Sequence, residues 1–330
     1  MRRGHCQDSV ALGLSWLRRP CRTDRLPTRE SLMIPYRLRL PAVLLRYLDA
    51  SYRGLLSRDG ATGFSFGEPA GEPGLVDLAS VSWRVFRNPV SVFIGRVAAV
   101  VLELAEPSVR TGVWEHSSFR TDPMRRLQRT GLAAMVTVYG ARSVAEKMIA
   151  GVRHVHGKVV GHTASGQAYH ANDVRLLNWV HVTAAFGFAE AYHRYASALS
   201  DEDWDRFYKE GLAAATLYGA IGAPSSRAEQ EAQFAAMRSS LVPSDIVFEF
   251  LKIMNTAPLM PRWIRPLQRL LVRAAVDLVP VDIRQLLGLN TQQGLSRFGY
   301  AVTRMLVRLF DRVVLPSSPA QQAALRLAPP

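Results

Sequence analysis

The sequence predicts an all-α protein, and three observations support this fold class. From residue 90 onward, apolar residues recur at spacings of three and four, whereas strict alternation of apolar and polar residues is nearly absent. Signals for helix starts recur along the same stretch. Strand patterns are restricted to residues 158–161 and 167–170, which predict one short hairpin. We therefore expect a single helical core domain with a minor hairpin and terminal extensions.

The helix starts are predicted from residues that can cap a helix N-terminus. Asp122 precedes Pro123, an arrangement in which the aspartate accepts from free N–H groups and the proline begins the helix. Ser143, Ser200 and Ser226 are each followed three residues later by an acidic residue, which is the pattern of a capping box. We expect helices to begin at these four positions.

Composition divides the chain into four predicted parts. Residues 1–32 form a basic arm that is either disordered or a mis-assigned start, because a cleaner start follows at Met33. Residues 33–75 form an N-terminal segment that ends in a Gly-rich, polar linker. Residues 76–258 form the core. Residues 259–330, divided into short helices by proline, form a basic helical extension that we expect to pack on the core.

Length and composition restrict the class of protein. The 330 residues are 48% hydrophobic and 21% charged, with a mean hydropathy of +0.01, which excludes a wholly disordered chain. The two cysteines, Cys6 and Cys21, are too few for a disulfide framework.

The formal charge of +14 arises mainly at the two ends of the chain. Residues 1–32 hold seven Arg and three acidic residues, and residues 259–330 hold ten Arg and three acidic residues, which leaves only +3 for the rest. No zinc-finger, basic-zipper or RNA-recognition pattern is present. We therefore predict no nucleic-acid partner.

Neither a signal peptide nor a transmembrane span is predicted. The apolar run at residues 9–17 follows Asp8 and has no cleavage motif after it. The longest apolar stretch, residues 90–105, contains Arg96 and is shorter than the roughly 20 residues that cross a bilayer. We expect a cytoplasmic protein.

Histidine supplies the first candidate ligand. Ile149, Val152 and His156 recur at three- and four-residue steps, so His156 ends an apolar stripe on one helix, and Gly157 follows at the position of a C-cap. An imidazole that projects from the last helical turn into an apolar cleft suits an axial haem ligand. The competing interpretation is a core histidine hydrogen-bonded to a carbonyl.

Arg126 and Thr130 form a second candidate site. They are one helical turn apart and share a face. A guanidinium group with a hydroxyl can hold a carboxylate, such as a haem propionate, or steady bound dioxygen. The competing interpretation is a solvated basic face.

His181 is the alternative ligand to His156. It lies in an alanine-rich, smooth segment that also contains Gly187. Small side chains let a neighbour approach closely, and this neighbour is either a flat cofactor or a packed helix.

Other catalytic classes have no motif in this chain. The patterns His-Glu-x-x-His, Gly-x-Ser-x-Gly and Glu-x-x-His are absent, as is a Gly-rich dinucleotide fingerprint within a βαβ unit.

Several short motifs follow one another in order between about residues 75 and 245. They are residues 114–117 with Phe119, Asp122-Pro123, Arg126 with Thr130, Tyr139-Gly140, His156 with Val159 and Gly161, Gly166 with Tyr169, Ala171, Asp173, and residues 176–181. In this order and spacing the chain resembles the MpaB-type oxygenases, a haem-protein family that includes the latex-clearing rubber oxygenase. The resemblance covers roughly half of the chain.

The resemblance implies a fold, a cofactor and a reaction. It implies a globin-like helical core around haem b, within residues 76–258, and oxidation of an apolar substrate by dioxygen. His156 corresponds to the family's proximal iron ligand. Arg126 and Thr130 match the Arg-x-x-x-Thr element beside the haem.

One position departs from the rubber oxygenase, which has a lysine before that threonine, able to cap the distal face of the iron. Arg129 stands there in this chain, and a guanidinium that stays protonated is a poor metal ligand. The resemblance therefore implies an open or water-bound distal site and does not imply rubber cleavage. Glu115 and His116 are further candidates for lining the distal pocket.

Two functions stay open on the sequence alone. The first is a haem b-dependent oxygenase that acts with dioxygen on an unsaturated, lipid- or isoprenoid-like substrate. The second is a helical protein that binds haem or lipid without turnover. In addition, residues 297–314 predict a basic amphipathic helix, which either makes peripheral contact with a membrane or packs on the core with Arg304, Arg308 and Arg312 in solvent.

Overall fold

The computed structural model describes residues 38, 40–56, 65–258, 262–289 and 294–328. One compact unit contains all of them. The arm predicted at residues 1–32 lies outside the described residues.

Helices dominate the described residues, and the all-α prediction is confirmed. The helices are α1 (Ala42–Leu56), α2 (Val81–Arg87), α3 (Pro89–Glu103), α4 (Pro107–His116), α5 (Pro123–Tyr139), α6 (Arg142–His156), α7 (Val174–Ala191), α8 (Asp201–Tyr218), α9 (Arg227–Met237), α10 (Asp245–Thr256), α11 (Arg265–Leu278), α12 (Val281–Leu286), α13 (Arg297–Asp311) and α14 (Pro319–Arg326). A π-helical turn, Tyr192–Ala196, follows α7 directly.

Helices α3 and α7 cross closely at the centre of the bundle. A Cβ atom added to Gly95 would lie 2.5 Å from the carbonyl oxygen of Gly187, so the two backbones meet where neither has a side chain. The close neighbour of Gly187 is therefore a helix, as the packing interpretation predicts. The other core helices pack around this crossing: α5 on α6, α8 on α6 and α7, and α11 on α3.

The predicted hairpin is confirmed, with strand ends shifted by one or two residues. Strands β1 (Val160–His162) and β2 (Ala168–His170) pair in antiparallel register, and Gly161 lies opposite Tyr169. A Cβ atom on Gly161 would lie 2.6 Å from the Tyr169 hydroxyl, so a larger residue here would require the tyrosine side chain to move.

Three of the four predicted helix starts are confirmed. The carboxylate of Asp122 accepts from the Arg125 N–H at 3.1 Å. The hydroxyls of Ser200 and Ser226 accept in the same way from the N–H groups three residues later. These caps place α5, α8 and α9 where the sequence predicts them.

The predicted cap at Ser143 is wrong. Helix α6 begins at Arg142 after Ala141, so Ser143 lies inside its first turn. The N–H and hydroxyl of Ser143 donate to the carboxylate of Glu72, at 2.6 and 2.9 Å. The acceptor at this helix end is therefore a residue 71 positions away in sequence. A local sequence pattern cannot identify such a distant partner.

Among the described residues, no single helix combines the length and apolar character needed to cross a membrane. The pair α2–α3 meets these criteria only jointly, and the two helices are bent by 96° at their junction.

Candidate active site

Helix α5 holds Arg126 and Thr130 on one face. The guanidinium Nη1 of Arg126 donates to the Thr130 hydroxyl, which in turn donates to the Arg126 carbonyl at 3.0 Å. The threonine thus fixes the orientation of the guanidinium one turn away. Burial lowers the pKa of Arg126, and the charge of Glu103 partly offsets this effect.

Helix α6 ends at His156, which is half-buried. The apolar face that leads to it includes buried Ala145 and Ile149. Burial lowers the pKa of His156, and the charge of Arg126 lowers it further. The imidazole is therefore neutral at pH 7 and, among the described residues, has no hydrogen-bond partner. A neutral imidazole with a free nitrogen lone pair is a competent metal ligand.

The second imidazole, His181, lies on α7 and is the more strongly desolvated of the two. Burial lowers the pKa of His181 to about 4. Gly211 of α8 lies opposite, and a Cβ atom there would be 3.7 Å from His181 Nε2. His181 likewise has no hydrogen-bond partner among the described residues.

Two charged residues of α3, neither of them among the sequence-predicted site residues, also belong to this group. Burial raises the pKa of Glu103 to about 7, with the charge of Arg126 acting in the opposite direction. Burial and the charge of Arg126 lower the pKa of Arg96 to about 10. The Nη1 of Arg96 donates to the Leu127 carbonyl at 2.6 Å, and within the described residues its Nε is buried without a partner.

A signal for this pair was present in the sequence. Arg96 and Glu103 are the charged residues of the apolar stretch 90–105, and they are seven residues apart, so they share one face of α3. Charge inside an apolar helix is costly unless something compensates it.

The five buried ionisable groups Arg96, Glu103, Arg126, His156 and His181 share an unusual setting, and we call them the buried polar cluster. Burial shifts the pKa of each. Each side chain nevertheless keeps part of its surface accessible. The charge of Arg126 affects the pKa values of Arg96, Glu103 and His156, so these four groups lie near one another, whereas His181 shares their burial. Small residues on α5 and α7 are half-buried in the same way: Gly131, Ala133, Ala134, Ala184 and Ala185.

Other sequence-predicted residues are exposed and do not belong to the buried polar cluster. Arg129 is exposed on α5, although its charge contributes to lowering the pKa of Arg126. Glu115 and His116 are exposed at the end of α4. Within the described residues, no group of three His, Cys, Asp or Glu side chains is arranged to hold a metal ion.

Buried ionisable groups with shifted pKa values are typical of an enzyme active site, and here they lie within a helical domain. A family profile described as "ER-bound oxygenase mpaB/B'/Rubber oxygenase, catalytic domain" matches residues 83–310. The chain belongs to this family and contains an oxygenase catalytic domain.

The matched region includes the whole buried polar cluster and continues through α11, α12 and most of α13. It therefore contains much of the segment predicted as a C-terminal extension. Comparisons with curated proteins and with solved structures gave no match.

Proposed function

We propose that this protein is a haem b-dependent oxygenase that acts with dioxygen on an apolar, unsaturated substrate of the lipid or isoprenoid type. The observation that carries the proposal is a neutral His156 imidazole, without a hydrogen-bond partner among the described residues, that lies close enough to Arg126 for the arginine charge to lower its pKa. Family membership supplies the oxygenase class, and the cluster supports the finer statement about the cofactor.

The residues of the cluster fit a haem by their chemistry. A b-type haem needs an axial ligand, cationic partners for its propionates and an otherwise apolar enclosure. His156 would bind the iron, with His181 as the competing imidazole. Arg126 and Arg96 are the buried cations that would bind the propionates. The buried Nε–H of Arg96 has no acceptor among the described residues, so it is available to donate to such a group.

The haem, when bound, supplies the redox chemistry that activates dioxygen. The protein's own residues contribute orientation and proton control. Thr130 fixes the guanidinium of Arg126, so that its remaining N–H groups point in a defined direction. Glu103, with a pKa of about 7, can hold or release a proton at its carboxyl oxygen under ordinary conditions.

The small residues on the helices that carry the cluster support an apolar substrate. The half-buried alanines and glycine of α5 and α7 offer apolar surface without side-chain hydrogen-bonding groups. Burial of the ionisable groups strengthens the influence of each charge on its neighbours.

Haem binding is tested on protein expressed under haem-replete conditions, by its absorbance spectrum and its pyridine haemochrome content. We expect stoichiometric haem with a Soret band. Colourless protein that takes up no added haem would overturn the proposal.

Turnover is tested by product formation from unsaturated lipids and terpenoids under oxygen. Glu103→Gln should lower product formation, whereas Glu146→Gln, the same change on the exposed face of α6, should not. Haem-loaded protein that forms no product from any of these substrates would favour the non-catalytic alternative.

A further inference from the structure

Helix α13 exposes an apolar face although it is packed on the protein. Its buried side consists of Gly299, Thr303 and Val307. On the opposite side, Phe298 is 79% exposed and Met305 is 61% exposed. The helix therefore has two apolar faces, and only one of them is used inside the fold.

The exposed apolar residues form a stripe along α13. Phe298, Met305 and Leu309 are spaced by seven and four residues, which places them on one side of a helix. Leu309 is 42% exposed. We call these three residues the apolar stripe. A row of large exposed apolar side chains is uncommon on a surface that meets only water.

Arginines flank the apolar stripe. Arg297, Arg304, Arg308 and Arg312 are all exposed. The acidic residue of the helix, Asp311, is paired with Arg87 of α2 at 3.2 Å, so it compensates none of the four. This side of α13 therefore combines apolar and uncompensated positive surface.

Two of these arginines line a cleft of about 340 Å³ beside α13. Arg304 and Arg308 form one wall together with Tyr300. The hydroxyl of Tyr300 donates to the Arg194 carbonyl at 3.2 Å, and Arg308 Nε donates to the Ala196 carbonyl at 3.4 Å. These bonds hold the cleft against the π-helical turn that follows α7.

The opposite wall of the cleft contains acidic and basic groups that neutralise each other. Arg194 pairs with Glu190 at 3.0 Å and with Asp277 at 3.4 Å. The charges of Arg304 and Arg308 are left over, so the cleft is suited to an anion.

We propose that α13 and this cleft form a docking surface for an anionic phospholipid bilayer. Arg304 and Arg308 bind lipid phosphates, and the apolar stripe enters the boundary between headgroups and acyl chains. The proposal is independent of the haem assignment, because none of its residues belongs to the buried polar cluster.

A second copy of the chain is the competing occupant. A twofold dimer through α13 would bring the same patch of each copy together, with its arginines at close range. Like charges in such contact repel one another. An anionic bilayer has the complementary charge, which favours it over a second copy.

Helix α1 adjoins this surface. The N–H of Leu38 donates to the Arg312 carbonyl at 3.0 Å, and the N–H of Ser317 donates to the Asp49 carboxylate at 2.9 Å. Helix α1 also has exposed apolar side chains, including Val43 and Tyr47. Helix α1 thus lies next to the segment that follows α13, and it also exposes apolar side chains.

The test is co-sedimentation of the full chain with vesicles of phosphatidylcholine alone or mixed with phosphatidylglycerol. We expect binding to the mixed vesicles only, falling steeply as salt is raised. The variant Arg304→Gln/Arg308→Gln should weaken this binding roughly 10- to 30-fold. The variant Phe298→Ser/Met305→Ser should weaken it about tenfold.

Two matched variants control for loss of charge and of apolar surface elsewhere. Arg120→Gln/Arg142→Gln removes the same charge from other exposed positions. Ile221→Ser/Val281→Ser removes apolar side chains that are 72% and 58% exposed. Both should bind as the wild type does.

Three results would overturn the proposal. The first is no binding to the mixed vesicles, or an equal loss in the control variants. The second is full competition by soluble glycerol phosphate, which would make the cleft a site for small anions. The third is a concentration-dependent dimer that Phe298→Ser/Met305→Ser dissociates, in protein that does not bind vesicles.

Discussion

The chain uses arginine in two different settings. In the buried polar cluster, Arg96 and Arg126 are enclosed, and burial lowers the pKa of both. On α13, Arg304 and Arg308 are exposed beside an apolar stripe. In the buried pair, Arg126 shifts the pKa of neighbouring ionisable groups, whereas the exposed pair is available to a partner.

The difference shows why net charge says little about this protein. One buried arginine, Arg126, contributes a single charge to the total of +14 but influences the pKa of both Glu103 and His156. The exposed arginines contribute to the total without altering the site. Charge within an apolar helix points to chemistry, and charge beside an exposed apolar face points to a binding surface.

The largest effect is expected at the crossing that builds the buried region. Gly187→Ala should lower the free energy of unfolding by about 3 kcal/mol or more, because the new Cβ would collide with the Gly95 carbonyl oxygen and neither backbone can move freely. Urea denaturation measures this change.

Gly151 is the matched control for that substitution. It lies on the exposed side of α6, and a Cβ there would meet nothing within 4 Å. Gly151→Ala should therefore stabilise the protein by up to about 1 kcal/mol. Equal effects at the two glycines would contradict the close crossing.

The next effect concerns the pH dependence of stability. The pKa of Glu103 is about 7 in the folded chain against an ordinary 4.5, so the folded state binds this proton more tightly. The resulting stabilisation is present below about pH 4.5 and is lost as pH rises through 7. It amounts to at most about 3 kcal/mol.

Glu103→Gln should remove this dependence, and urea denaturation between about pH 5 and pH 8 measures it. The wild type should lose stability relative to the variant as pH rises. Parallel curves for the two proteins would show that Glu103 titrates as a solvated carboxyl.

A smaller effect is expected on the pKa of His156, which ends α6 and is influenced by Arg126 of α5. Because the charge of Arg126 lowers the pKa of His156, Arg126→Gln should raise that pKa toward its ordinary value. NMR titration of the His156 imidazole in haem-free protein measures the change. Arg125→Gln, on the exposed side of α5, is the control and should leave it unaltered.

The smallest effect on stability is expected on α13. Arg304→Gln/Arg308→Gln should change the free energy of unfolding by less than about 0.5 kcal/mol, because exposed charges contribute little to folding. Thermal unfolding measures it. A loss of several kcal/mol would mean that these arginines hold the fold together, in contrast to their proposed binding role.

Periodicity and caps were sufficient to predict the all-α class, the hairpin and three helix starts, because these features depend on neighbours in sequence. Ser143 shows where this fails, since its partner Glu72 comes from a distant segment. The same holds for Glu103: its shifted pKa arises from the helices that enclose it, and sequence spacing does not report enclosure.

The candidate site was predicted in part. Arg126, Thr130 and His156 follow from helical spacing and resemblance. Arg96 and Glu103 are marked in the sequence as charges within an apolar stretch, but only the fold shows that they lie near Arg126. For α13 the helix could be predicted from the sequence, but its packing could not. Its amphipathic pattern was evident, but which apolar face is used inside the fold depends on small residues such as Gly299 that let α13 approach its neighbours.

The central claim, that the buried polar cluster holds a haem through His156, is tested most directly by paired substitution of the two histidines. Wild type, His156→Ala and His181→Ala are expressed with haem supplied, and haem content and the Soret band are compared. We predict that His156→Ala loses its haem while His181→Ala retains it. Full haem content and an unchanged Soret band in His156→Ala would contradict the account.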